Sequence, residues 1–239
     1  MANSAQRLHD LLQKSKEQQL ASLDMMSAWR KLLSLPENFG DLATMARVGK
    51  VFTLPALVAN QIQRFPDLEP ELFLGWRPEL EQALFAISFG NSFHGFAGRL
   101  SPSLLINIRF CARELEQRIP ERTVDPNEIA KLRELAWSLC QELLQASLSA
   151  PLQQYLLDLL YLMLEALDDY NIIGVVGMEH AVDAVLGSFF TKPAMAEEVK
   201  SSGFGPKFWN VVSRMGTALK FAKSAIELMD KAKGLLPEQ

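Results

Sequence analysis

The sequence predicts an all-α protein: a multi-helix bundle around a central apolar helix at 151–169, with an amphipathic helix at its C-terminal end. Three observations predict it. Helix starts recur along the chain, clearest at Asp125-Pro126-Asn127-Glu128, where Asp125 can cap, Pro126 suits the first helical position and Glu128 completes a capping box. Strand signals are missing: no run shows sustained period-two alternation of β-branched residues, and there is no Asn-Gly or Asp-Gly hairpin pair. The segment LQQYLLDLLYLMLEAL, 152–167, is apolar on nearly every side, as a helix surrounded by other helices must be.

Punctuation and periodicity place helices at 4–34, 41–50, 54–65, 78–89, 102–119, 126–148, 151–169, 175–190, 193–201 and 206–234. The first has a polar middle, KSKEQQ, that can divide it in two. Ser101-Pro102 opens the fifth. Thr53-Leu54-Pro55, Arg77-Pro78-Glu79, Ser149-Ala150-Pro151 and Thr191-Lys192-Pro193 repeat the signal more weakly. The sixth places Ile129, Leu132, Leu135, Ala136, Leu139, Cys140, Leu143 and Leu144 on one face. In the seventh, Gln154, Asp158, Tyr161 and Glu165 make a single narrow polar stripe, and leucines cover the rest. The expected loops are 35–40, 65–76, 90–100, 120–125 and 201–205. The SSGFGP run at 201–206 reads as a hinge dividing an all-α domain, 1–202, from a C-terminal segment, 203–239.

A chain of 239 residues with 49% apolar and 22% charged content can build its own core without disulfide or metal staples. Cys111 and Cys140 sit among apolar residues at helical spacing and read as buried thiols of a reducing compartment. The first residues, MANSAQRLHDLL, have neither a secretory pattern nor a lipidation motif, and the most apolar window, 170–190, is interrupted by Glu179, His180 and Asp183. The expected location is the cytosol, with the membrane surface as alternative. The charge of −4 divides unevenly. Residues 203–239 carry six basic and three acidic side chains, a net +3, which leaves −7 for the rest.

Few features could carry chemistry. P-loop, dinucleotide, zinc-protease and nucleophile-elbow motifs are all missing, so no cofactor, metal or catalytic residue is assigned and no small-molecule substrate is identified. The segment 88–99, SFGNSFHGFAGR, is the best ligand-loop candidate, with Asn91, Ser92, His94 and Arg99 as its polar groups. The competing reading is a helix connection whose phenylalanines plug the core. Glu179, His180 and Asp183 could share a helix face, but a solvated stripe accounts for them as well. Arg109, Arg113, Arg118 and Arg122 run with Glu114, Glu116 and Glu121 and read as a salt-bridged solvated face. With an acidic body as well, nucleic-acid binding is not expected.

The terminal helix has more substance. Phe208, Val211, Val212, Met215, Leu219, Ile226 and Met229 fall on one stripe at 100° per residue, with Trp209 beside Phe208. Such a stripe docks on its own chain, pairs with a second copy or another protein, or lies in a membrane interface.

Within 165–190 the run EALDDYNIIGVVGMEHAVDAVLG resembles a segment of uncharacterised, mostly bacterial all-helical proteins. The residues that carry it are Leu167, Asp169, Tyr170, Ile172, Gly174, Gly177, Ala181, Ala184 and Leu186. It departs from their pattern in having Val175-Val176 where charged residues are usual, and it brings no catalytic residues with it. The reading that follows is a non-catalytic protein, an interaction or effector component of a bacterial system, acting through protein–protein assembly or as an oligomer. The second reading is a membrane-active protein using 170–190 and 206–234. The third is an enzyme with a site at 90–99, which requires His94 and Arg99 to converge with a carboxylate.

Overall fold

The computed structural model describes residues 3–35 and 39–219. Among these the chain forms fifteen helical segments: α1 (Ser4–Ser15), α2 (Gln18–Ala21), α3 (Met25–Leu32), α4 (Asp41–Val51), α5 (Leu54–Ile62), α6 (Pro70–Phe73), α7 (Arg77–Phe85), α8 (His94–Ala97), α9 (Pro102–Arg118), α10 (Pro126–Leu144), α11 (Ala150–Asp168), α12 (Tyr170–Ile173), α13 (Val175–Thr191), α14 (Pro193–Ser201) and α15 (Gly205–Ala218). The protein is all-α. Only an isolated Asp24–Ser92 bridge has β character among the described residues.

The predicted helix starts are made as the chemistry requires. Ser101 Oγ accepts from Leu104 N at 3.1 Å, Asp125 Oδ1 from Asn127 N at 2.8 Å and Ser149 Oγ from Leu152 N at 3.4 Å, each satisfying an amide that the first turn leaves without a partner. The expected first helix is three helices. Lys16 caps α1, and Asp24 starts α3 by accepting from Ser27 N at 2.9 Å.

The described residues divide into two compact units, and the division falls elsewhere than the expected hinge. Unit 1 runs to Glu121 and includes Asn171–Ile173; unit 2 holds Arg122–Tyr170 and the chain from Gly174 onward. In unit 1, α1 packs along α9 and α5. The core there joins Leu8, Leu12, Val58, Ile62, Leu104, Ile108 and Leu115 to the rings of Trp29, Trp76, Phe93 and Phe96. Arg7 is buried in this unit. Its Nη1 meets both Glu121 carboxylate oxygens at 2.7 Å and its Nε donates to the Ile172 carbonyl at 2.9 Å, so the charge leaves water already paired.

Unit 2 is built on α11, which packs against α10, α13 and α14. The predicted stripe holds: Gln154, Asp158, Tyr161 and Glu165 are exposed, while Leu152, Leu156, Leu157, Leu159, Leu160, Met163, Leu164 and Leu167 are buried. The apolar helix is therefore the centre of one core out of two. Gly174, at φ 76°, adopts a backbone that a side chain would strain, and it separates α12 from α13.

The SSGFGP run is a tight turn inside unit 2. Ser202 Oγ donates to the Val199 carbonyl at 2.7 Å. A Cβ on Gly205 would stand 2.8 Å from that carbonyl oxygen, so only glycine lets α15 fold back on α14 this closely.

Candidate functional site

The terminal stripe is spent inside unit 2. Phe208, Trp209, Val211, Val212, Met215 and Leu219 are all buried, and Phe189 of α13 stacks 4.8 Å from Trp209 and 5.6 Å from Phe208, centroid to centroid. As far as it is described, this stripe docks on its own unit, the first of its three alternatives. Ile226, Met229 and the remainder of the helix expected to reach 234 lie outside the described residues. The other apolar segment, 170–190, likewise turns Ile172, Val175, Met178, Val182, Val185 and Phe189 inward.

The 88–99 segment is a core plug with a polar rim. Phe93 and Phe96 are fully buried and pack on Trp29 at 5.8 and 5.6 Å. The Asn91 carbonyl accepts from Met25 N at 3.0 Å, and Phe93 N donates to the Leu23 carbonyl at 3.1 Å, pinning the segment to the start of α3. Asn91, Ser92, His94 and Arg99 are exposed, and neither the His94 nor the Arg99 side chain has a hydrogen-bond or ion-pair partner among the described residues. The neighbouring carboxylate, Asp24, is committed to capping α3. Its hydrogen bonds from Ser27 hold it below the ordinary carboxylate range. Among the described residues, His94 and Arg99 therefore do not converge with a carboxylate.

Glu179 is half-buried, and His180 and Asp183 are exposed. No group of three or more His, Cys, Asp or Glu side chains is placed to hold a metal ion among the described residues. The two thiols are buried and unbridged, and burial pushes both up, Cys140 to about 11.

What stands open is an apolar face on unit 1. In α4 the core side is Thr44, Val48 and Val51; the outer side carries Leu42, Met45 and, just past the helix, Phe52. The chain turns at Phe52-Thr53, where Pro55 has no amide to donate to the Val51 carbonyl, and continues as α5. Helix α7 buries Leu80 and Ala83. At 100° per residue Phe85 lies about 140° from Leu80 and about 160° from Ala83, so it must face outward. It is 89% exposed. Phe52, Pro55, Ala56, Leu84 and Phe85 enclose a hollow of about 370 Å³, rimmed on one side by the Arg77–Glu81 ion pair at 3.0 Å. This hollow was not among the sites expected from sequence. The signal was present, because Leu42, Met45, Ala46, Gly49 and Phe52 recur at helical spacing. Val48 and Val51 give the same helix a further apolar side, however, and periodicity cannot say which of the apolar sides packs into the core.

No protein-family model, curated protein or solved structure matches this chain. The geometry of the open face therefore carries the functional reading.

Proposed function

We propose that the protein is non-catalytic and acts by helix-mediated assembly, pairing with a second copy of itself through the face formed by α4, α5 and α7. One observation carries the reading: Phe85 projects into water at the lip of an apolar hollow lined by Phe52, Pro55, Ala56 and Leu84. A knob and a hole side by side on one surface are self-complementary. About a two-fold axis each copy's Phe85 enters the hollow of the other, and the same patch serves both copies. Covering one such phenylalanine is worth about 1.5–3 kcal/mol, and a two-fold contact gains it twice. Leu42 and Met45 are exposed further along α4.

The test is sedimentation velocity over a concentration series. The wild type should show a reversible monomer–dimer equilibrium, and Phe85→Asp should remain monomeric, with the melting temperature of the wild type measured at a concentration where that too is monomeric. A wild type that stays monomeric into the high micromolar range, or a Phe85→Asp variant that still dimerises, would overturn the proposal.

A second reading has its own support. The stretch Asp41–Ile62 is long and apolar enough to cross a membrane by length and composition, and only 39% of its apolar window is buried. Membrane contact would then use this stretch rather than 175–190 and 206–219, whose apolar sides fill the unit 2 core. Flotation on liposomes separates the two: co-flotation of the wild type, lost in Leu42→Asp, would favour the bilayer.

A further inference from the structure

The outer side of α9 is a second open surface, of different chemistry. Ile106, Arg109, Phe110 and Arg113 fall at i, i+3, i+4 and i+7 and line a shallow hollow of about 150 Å³. Ile106 is 54% and Phe110 56% exposed. A second hollow, about 340 Å³, continues along the helix past Arg113 to Glu116 and Gln117, with Gln6 of α1 on its far side. The two share Arg113 and make one groove.

The charges in this groove are not those of a salt-bridged face. Arg118 has two partners, Asp67 at 2.6 Å and Glu114 at 3.4 Å, and Glu121 pairs with Arg7. Arg109 and Arg113 have no ion-pair or hydrogen-bond partner among the described residues. One turn beyond Arg113, the Glu116 Oε2 atom is shielded from solvent and likewise lacks a hydrogen-bond partner. A shielded acceptor without a donor is costly, and a donor brought by a ligand removes that cost. In order along α9 the groove thus offers two cations interleaved with two apolar side chains, then an acceptor in need of a donor.

We infer that this groove is the docking site for an amphipathic helix of a partner protein. That helix carries two carboxylates one turn apart, apolar residues alternating with them, and a basic or amide side chain one turn further on. The carboxylates meet Arg109 and Arg113, the apolar residues lie on Ile106 and Phe110, and the terminal donor satisfies Glu116. An anionic lipid surface would complement the two arginines but not the carboxylate beside them, so charge complementarity favours the helix. This surface is independent of the Phe85 face, and Phe85→Asp should leave it intact.

The test uses two fluorescein-labelled helical peptides and reads fluorescence anisotropy. One carries leucines on one face, flanking glutamates at successive turns and a lysine one turn further; the other is its charge-reversed counterpart. The acidic peptide should bind in preference, more weakly at high salt. The double variant Arg109→Glu/Arg113→Glu should reverse that preference by about tenfold or more. Glu116→Gln should weaken the acidic peptide only when it bears the terminal lysine. Equal binding of both peptides, or a preference unmoved by the double variant, would overturn the inference. Flotation on phosphatidylserine vesicles that the double variant abolishes, without discrimination between the peptides, would give the face to a bilayer and overturn it too. Circular dichroism melting of each variant distinguishes loss of binding from loss of fold.

Discussion

Helix α15 and the α4–α5 stretch both carry apolar stripes at helical spacing, and they end in opposite environments. On α15, Phe208, Trp209, Val212 and Met215 disappear into the unit 2 core against Phe189. On the other stretch, Leu42, Met45 and Phe52 are exposed, and Phe85 of α7 lines the same hollow as Phe52. The α15 stripe is the more amphipathic of the two and looks more like an interaction motif. The difference teaches that amphipathicity marks a face that must be covered, not what covers it. A sharply two-sided helix with one apolar face is satisfied by its own core. A helix apolar on both sides satisfies one of them and leaves the other for something else.

The strongest way to break this comparison is to truncate both stripes. Phe208→Ala should cost about 3–5 kcal/mol, because a large ring leaves a packed core and a cavity remains. Phe85→Ala should change the stability of the monomer, measured at low protein concentration, by less than about 0.5 kcal/mol, because its ring touches mostly solvent. Chemical denaturation followed by circular dichroism measures both, and comparable losses would dissolve the contrast.

Next in size is the turn that seats α15. Gly205→Ala places a methyl 2.8 Å from the Val199 carbonyl oxygen, and the backbone must give. A loss of about 1–3 kcal/mol is expected, where a flexible hinge would tolerate the change. Ser149→Ala, which removes the cap of α11, should cost about 1 kcal/mol in the same measurement.

The effect that vanishes at neutral pH is titration of the unit 2 core. The Cys140 thiol is raised from an ordinary 9.0 to about 11 when folded. Between those values the unfolded chain loses a proton that the folded chain keeps. Its contribution is therefore fully present below pH 9 and declines as pH rises towards 11. Cys140→Ala should flatten that alkaline decline. Both native thiols should resist a thiol reagent at neutral pH and react once denaturant is added, since both are buried.

Much of the fold was legible because its signals are local. Asp125, Ser101 and Ser149 cap where a short polar side chain precedes proline or an apolar run, and the Gln154–Glu165 stripe follows from helical spacing alone. The short helices α2, α6, α8 and α12 were not legible, since four residues hold too little periodicity to register. The two-unit division also escaped the sequence. Asn171–Ile173 belongs to unit 1 although the helices on either side of it belong to unit 2, and long-range packing of that kind leaves no trace in local pattern. The 88–99 segment shows the same limit. Its phenylalanines announced burial, and Phe93 and Phe96 are buried. Whether His94 and Arg99 would meet a carboxylate depended on what α3 did with Asp24, seventy residues away from one and more from the other in neither motif nor spacing. The open face was hidden for the reason given by α4 itself, which is apolar on the side that packs and on the side that does not.

The central claim is that the α4–α5–α7 face is the covered surface of an assembly while the α15 stripe is internal. Hydrogen exchange read by mass spectrometry at low and high protein concentration tests it most directly. Peptides covering 41–62 and 77–89 should gain protection as concentration rises, and peptides covering 205–219 should be protected equally at both. Protection that rises in 205–219, with 41–62 unchanged, would contradict the account.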